Sequence, residues 1–472
     1  MDNILNTILE CYIIIYWTLI SRKSNHTTTR MRLLEVHCNK MKDIIRIYKD
    51  ECAPRGTIEV AGDKSISHRA VMFGAISSGK TVAKNILLSE DTENTIAAFR
   101  ALGIDIEQSN NEVIIHGGTL KQANKPLYMG NSGTTTRLIM GILSHLPFKT
   151  TLTGDHSLER RPMNRIAIPL RQMGADISTT GESETLPLTI CGSELKAIDY
   201  TSKTASAQVK SAILLAGLNA DGITSITEPA LSRDHTERML QVFGAKISRN
   251  GLTVSIEGGQ KLTGQEINVP GDISSAAFFM VLGCAHKNAD ITVKNVGINP
   301  TRTGILDVLT QMGANLTLLN KNIGFEPTAD ISIQSSELKG TVIGGDIIPR
   351  LIDELPIIAV AALFADGKTV IKDAAELKVK ESNRIESTAR LITAFGGKVT
   401  TTDDGMIIEG REHLSPRDFT IDAAGDHRTA MSAAILAALG NVECEIMGAS
   451  SILTSFPTFT KILKNLGVNI KS

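Results

Sequence analysis

Six times along this chain the apolar-striped end of a helix runs into a glycine and then into the first residues of a strand. The six passages are AFRALGIDI at 98–106, PLRQMGADI at 169–177, MLQVFGAKI at 239–247, VLTQMGANL at 308–316, LITAFGGKV at 391–399 and ILKNLGVNI at 462–470. Glycine just past a helix end supplies the left-handed backbone that closes the last turn, so Gly103, Gly174, Gly244, Gly313, Gly396 and Gly467 mark six equivalent corners. Their spacing of about 70 residues is too long for a solenoid repeat and fits six copies of a small α+β unit. The longest step, from Gly313 to Gly396, holds roughly a dozen extra residues.

Each unit reads as strand, polar turn, helix, strand pair and second helix. In the first, TVAKNIL precedes EDTENTIAAFRALG and EVIIHGG; in the fourth, ITVKNVGINPTRTG precedes ILDVLTQMG, with NLTLL and DISIQSS after it. The stretches 181–183 and 248–260 read as loop or hairpin segments. Turn character is strongest near 58–62 and 262–270, which places three units in 62–265 and three in the remainder. Such an α/β chain has two lobes with a cleft between them, where small-molecule sites are commonly held.

Composition narrows the partners. Lys and Arg number 49 against 50 Asp and Glu, so no global positive field favours nucleic acid or membrane, and anions must be bound locally. Aromatics at 4% speak against base-stacking platforms. Cys11, Cys38, Cys52, Cys191, Cys284 and Cys444 form no zinc-spaced cluster and suit a reducing compartment. The first forty residues differ from the rest. CYIIIYWTLI at 11–20 is too short to span a bilayer and is followed, not preceded, by the basic SRKSNHTTTRMR, which is the wrong order for a secretory signal. Residues 1–40 are therefore set aside from the fold, as upstream sequence ahead of a start near Met41, an organellar targeting piece or a surface extension.

Binding is expected in the polar turns. GDKSISHRA (62–70) stands between a strand IEV at 58–60 and an apolar helix starting at Arg69, and offers Lys64, Ser65, Ser67 and Arg69 to an anion. KPLYMGNSGTTTRLIMGIL sets Gly130 to Thr136 before Arg137, and GDHSLERRPMNRIAIPL carries Arg160, Arg161 and Arg165, whose guanidinium forks suit phosphate and carboxylate. YTSKTASAQVKSAILLAGL presents Ser202, Lys203, Ser206, Gln208 and Lys210; SRDHTERML follows with Arg233, Asp234, His235, Glu237 and Arg238. RLIDELPIIAVAALFADG puts Asp353 and Glu354 at the mouth of a core helix. Desolvation there would raise a carboxylate pKa and suit proton transfer, unless the group simply caps the helix. Glu381 and Arg384 in KESNRI, three apart, can share one helix face, and GDHRTAM adds Asp426, His427 and Arg428 before another buried helix. Each turn also has a plain reading as a solvated or capped helix start; together they suit a pair of highly anionic substrates.

In this order, GDKSISHRA, GNSGTTTRL, RRPM, SAQVKSA, SRDHTER, IDELP, KESNRI, GDHRTAM and TSFP resemble the 5-enolpyruvylshikimate-3-phosphate synthase family of enolpyruvyl transferases, over nearly everything after Met41. The resemblance implies a two-lobed inside-out α/β barrel of six βαβαββ units. Residues 41–61 plus 266–472 would form a discontinuous lobe, 62–265 an inserted lobe, and the cleft between them the active site. It implies transfer of the enolpyruvyl group of phosphoenolpyruvate to the 5-hydroxyl of shikimate 3-phosphate, without metal or organic cofactor, by a cytoplasmic monomer. Carried over by motif, Lys64 touches both substrates. Ser65, Arg69, Ser206, Gln208, Arg233, Asp353 and Lys380 hold shikimate 3-phosphate. Gly133, Arg161, Gln208, Arg384 and Arg428 hold phosphoenolpyruvate, with His427 nearby. Asp353, Glu381 and Lys64 would be catalytic, Glu381 acting as an acid whose pKa is raised by neighbouring anions.

Asn383 stands where the family usually has Asp, Thr429 where a larger apolar residue is common, and Thr454 where one branch has Lys before FP. The nearest rival, the transferase acting on UDP-N-acetylglucosamine, relies on a loop cysteine, and no Cys occurs between 53 and 190. A non-catalytic anion-binding scaffold is the reading from another class.

Overall fold

The glycine corners fold as their spacing requires. In the computed structural model, which describes residues 43–180 and 184–471, all six glycines have φ between +89° and +108°, one or two residues past a helix end. Residues 1–40, with Cys11, Trp17 and Cys38, and the loop expected at 181–183 lie outside the described residues.

The fold is α/β, built from six repeated units, each with one four-stranded sheet. The first sheet orders its strands Glu266–Asn268, Gly79–Lys84, Glu112–Gly117 and Asp105–Ser109, the first pair parallel and the next two pairings antiparallel. The second orders them Leu127–Tyr128, Lys149–Thr153, Thr185–Cys191 and Asp176–Thr180; the third, Asp199–Thr201, Ile223–Thr227, Thr253–Glu257 and Ile247–Asn250. The fourth runs Arg55–Glu59, Asp290–Gly297, Thr328–Gln334 and Asn315–Asn322, and the fifth Val342–Ile343, Lys368–Ile371, Gly405–Glu409 and Val399–Thr402. The sixth is Phe419–Asp422, Cys444–Met447, Ile44–Ile47 and Ile470–Lys471. Among the described residues each sheet keeps two open edges, and none closes into a barrel by strand pairing.

Three strands serve sheets distant from their sequence neighbours. Arg55–Glu59 pairs in parallel with Asp290–Gly297, although the helix after it belongs with the first unit. Glu266–Asn268 pairs in parallel with Gly79–Lys84. Ile44–Ile47 takes the third position of the last sheet, the place that the later strand of a hairpin fills in the other five. The extra residues after Gly313 lie partly in the long hairpin Asn315–Gln334, against Asp105–Gly117 in the first unit, and partly in a short 3-10 helix at Gly345–Arg350.

Two hydrophobic clusters make the core. One gathers buried residues from Ile66 to Val269, the other Ile45 to Val60 together with Ile273 to Ile470. Helices apolar on every face lie inside them, as full burial demands. Ile273–Ala285, Leu355–Leu363 and His427–Gly440 pack against one another, and Gly133–Leu143 packs on Ala207–Gly217. The tip of the long hairpin crosses between clusters: Phe325 packs against the first, and Glu326 accepts from His235 at 2.6 Å. Among the described residues, no helix is long and apolar enough to cross a membrane. Cys52, Cys191, Cys284 and Cys444 are free thiols.

Candidate functional site

The helix expected to begin at Arg69 begins at Lys64. Asp63 caps it by accepting from the Ile66 amide at 2.9 Å, which draws Lys64, Ser65 and Ser67 out of the expected turn and into the first helical turn. The same device recurs. Ser132 caps Gly133–Leu143, Ser206 caps Ala207–Gly217, Asp272 caps Ile273–Ala285 and Asp426 caps His427–Gly440, each through its side chain. These helix starts and that of Arg384–Phe395 open on one cavity of about 520 Å³, so amide dipoles and cations face the same volume.

Lys64, Ser65, Gly133, Arg161, Ser206, Gln208, Arg233, Asp353, Lys380, Glu381, Arg384, His427 and Arg428 all line this cavity. Arg69 does not. Its guanidinium lies buried behind Ser65, donating to the Ser65 carbonyl at 2.9 Å, Thr236 Oγ1 at 2.7 Å and Ser211 Oγ at 3.0 Å, and burial lowers its pKa to about 10.

Two carboxylates organise the cavity wall. Asp353 pairs with Arg233, with Lys380 at 3.3 Å and with Arg384 at 3.2 Å. Glu381 meets Arg384 at 2.5 Å and Arg161 at 3.5 Å. It precedes the helix that Arg384 begins, so the expected pair forms from a turn onto a helix start. The expectation of raised pKa values is overturned for both. Burial pushes the Asp353 carboxyl up, but Lys380, Arg233, Arg428 and Arg384 outweigh it and hold the group well below the usual range. Glu381 is likewise driven up by burial and further down by the cations around it, Arg384 and Arg161 first and then Lys380. Glu354, the neighbouring candidate cap, makes no cap bond: it is fully buried, accepts from Ser274 and faces Arg428 at 3.9 Å.

Arg384 also pairs with Asp426 at 2.9 Å; burial works against its charge, but Asp426, Glu381 and Asp353 raise its pKa above the ordinary arginine value. Burial, then Lys64, lowers His427 to about 3, leaving a neutral ring beside the cations. Lys64 pairs with Asp91 and donates to the Thr454 carbonyl at 3.5 Å. Gly133 is wedged against two guanidiniums, since a Cβ there would stand 2.8 Å from Arg137 Nη1 and 3.1 Å from Arg161 Nη1. Arg137 donates to Gln208 at 2.8 Å, while its buried Nε and Nη2 have no hydrogen-bond partner.

Sequence reasoning missed Asp91, Asp272, Arg302 and Glu376, all on the cavity wall. Arg302 sits 3.3 Å from Asp63 and 3.2 Å from Asp272, and Glu376 pairs with Arg165 at 2.9 Å. A signal existed for Asp272: Gly-Asp precedes the helix at 62–63, 271–272 and 425–426 alike. Among the described residues, Asp105, Glu107 and His116 bring three possible metal ligands within 4.8 Å, but on an exposed hairpin that does not line the cavity.

Comparison with known proteins shows where the chain as a whole finds its likeness. The family described as EPSP synthase (3-phosphoshikimate 1-carboxyvinyltransferase) matches residues 48–463. The chain is 53% identical over 415 residues to the 3-phosphoshikimate 1-carboxyvinyltransferase of Bacillus cereus (strain ZK / E33L), covering 87% of this chain and 96% of that protein. The same identity and coverage hold for that of Bacillus thuringiensis (strain Al Hakam). The solved EPSP synthase of Acinetobacter baumannii superposes with a TM-score of 0.81 at 47% identity, covering 91% of this chain and 99% of the other. The enolpyruvyl transferase NikO from Streptomyces tendae, 16% identical with a TM-score of 0.72 over 91% of this chain and 98% of its own, shares the fold.

Proposed function

The chain belongs to the EPSP synthase family and transfers the enolpyruvyl group of phosphoenolpyruvate to shikimate 3-phosphate, a step of chorismate and aromatic amino acid biosynthesis, and we propose that it does so in the Asp353–Glu381 cavity. The observation that carries the assignment is the sharing of Arg384 between these two carboxylates, with cations from both core clusters around them. Six units grouped as two lobes of inside-out α/β barrel, working as a monomer, complete the reading. The all-apolar helices within each cluster support it. The strand pairing of Glu266–Asn268 with Gly79–Lys84 favours a crossing between lobes just after Val269 rather than at 266.

Shikimate 3-phosphate lies along Lys64, Ser65, Ser206, Gln208, Arg233, Asp353 and Lys380, with Arg69 holding Ser65 from behind. Phosphoenolpyruvate lies along Lys64, Gly133, Arg161, Gln208, Arg384 and Arg428. Asp353, ionised, takes the proton of the 5-hydroxyl as that oxygen attacks the substituted vinyl carbon, and Glu381 delivers a proton to the methylene carbon. A tetrahedral ketal results; Glu381 then takes a methyl proton back as the C–O bond to phosphate breaks, and Lys64 stabilises the charge leaving with phosphate. Glu381 must be protonated before the first step. Its depressed pKa comes chiefly from Arg384 and Arg161, which face it directly. When the carboxylate and phosphate of phosphoenolpyruvate engage those arginines, the cationic field on Glu381 weakens and its pKa rises.

The test is phosphate release from phosphoenolpyruvate with shikimate 3-phosphate or UDP-N-acetylglucosamine as acceptor. Release with the first acceptor alone supports the assignment; release with the second alone, or with neither, overturns it.

A further inference from the structure

The cavity-lining cations are nearly all committed to partners on the protein. Lys64, Arg161, Arg165, Arg233, Arg302, Lys380, Arg384 and Arg428 each face a carboxylate, and Arg137 donates to Gln208. Lys203 is the exception among the described residues: it lines the cavity, is exposed and makes no hydrogen bond or ion pair.

Its backbone is held. The Ser202 amide donates to the Thr227 carbonyl at 2.8 Å, and Ser202 Oγ donates to the Thr204 carbonyl at 2.8 Å, which pins the turn on both sides of Lys203. The other lysine of this segment is unavailable, because Lys210 is fully buried between Glu228 at 2.8 Å and Glu237 at 2.9 Å. The same cavity wall carries Ser206, Ser232 and Arg233, and the Arg233 charge is already engaged by Asp353. A phosphate dianion entering beside Ser206 would meet one arginine half-compensated by a carboxylate, and a second cation is needed to balance it.

We infer that Lys203 is a further substrate-binding residue, supplying a free ammonium to the 3-phosphate group of the acceptor substrate and drawing that anion to the rim of the cavity. The inference rests on the placement of shikimate 3-phosphate along Ser206 and Arg233 given above. Because the lysine is exposed, its contribution is screened by salt and is felt mainly in binding of the acceptor.

The experiment compares the full chain with Lys203→Met, Lys203→Glu and Lys203→Arg, reading kcat and both KM values at low and high ionic strength, with calorimetric titration of shikimate 3-phosphate. Lys203→Met raises KM and Kd for shikimate 3-phosphate by roughly three- to tenfold at low salt. Lys203→Glu raises them further, Lys203→Arg restores them, and high salt narrows the differences. The KM for phosphoenolpyruvate and the melting temperature stay unchanged. Equal effects on both substrates, or no effect of Lys203→Glu at low salt while the parent turns over normally, overturns the role of Lys203 alone. A parent protein that fails to bind shikimate 3-phosphate overturns the underlying placement as well.

Discussion

Arg161 and Glu381 meet at 3.5 Å across the cavity, one after the strand Lys149–Thr153 of the second sheet, the other just before the helix Arg384–Phe395. Under the proposed mechanism this arginine holds the anionic substrate and this carboxylate carries the proton, so the substrate's negative charge would separate the two and couple binding to activation of the acid.

Removing either proton carrier tests this directly. Glu381→Gln and Asp353→Asn should each slow ketal formation or breakdown by roughly 10²–10⁴-fold, with both substrates still bound by the arginines. Rapid-quench single turnover at saturating substrate measures the step. A variant running at the parent rate would make that residue a binding group and move the chemistry to Lys64.

Gly133→Ala should act on one substrate. The added Cβ would stand 2.8 Å from Arg137 Nη1 and 3.1 Å from Arg161 Nη1, so both guanidiniums must give way on the phosphoenolpyruvate side. KM for phosphoenolpyruvate is expected to rise about tenfold or more, while that for shikimate 3-phosphate changes little. A matched rise in both constants counts against the placement of the two substrates.

Lys210 should prove structurally costly. Replacing it in Lys210→Met leaves Glu228 and Glu237 buried without their cation, a loss of about 3–5 kcal/mol. The triple change Lys210→Met, Glu228→Gln, Glu237→Gln should recover much of that stability, and chemical denaturation of the three proteins measures it. A single variant as stable as the parent would mean that the carboxylates carry no charge once the lysine is gone.

His427 should make stability pH-dependent above the carboxylate range. Burial, then Lys64, holds its pKa at about 3 in the folded protein, whereas the unfolded chain binds a proton near pH 6.5. Below that pH the unfolded state carries the extra proton, so stability falls as pH falls, by about 1.4 kcal/mol per pH unit between 6 and 4 from this ring. His68 and His145, also depressed by burial, act in the same direction. His427→Asn should therefore reduce the slope of unfolding free energy against pH by about one proton without abolishing it. An unchanged slope would show that the ring is protonated in the folded state.

The sequence by itself determined what depends on local chemistry. A glycine after a helix end adopts positive φ wherever it occurs, so six corners and a repeated α/β unit were legible, and Gly-Asp or a lone Ser before an apolar run marked the helix starts around the cavity. Thirteen of the fourteen site residues that the family resemblance implied line that cavity. Tertiary structure decided what depends on partners far along the chain. The exchange of Arg55–Glu59 and Glu266–Asn268 between sheets, and the completion of the last sheet by Ile44–Ile47, follow from pairing edges that no local pattern distinguishes. The retreat of Arg69 behind Ser65 was equally hidden, since it needs Ser211 and Thr236 in place. So was the ionisation of Asp353 and Glu381: burial alone would raise both pKa values, and only the convergence of arginines and lysines from separate units reverses the sign, because electrostatic energy depends on distances in space rather than along the chain.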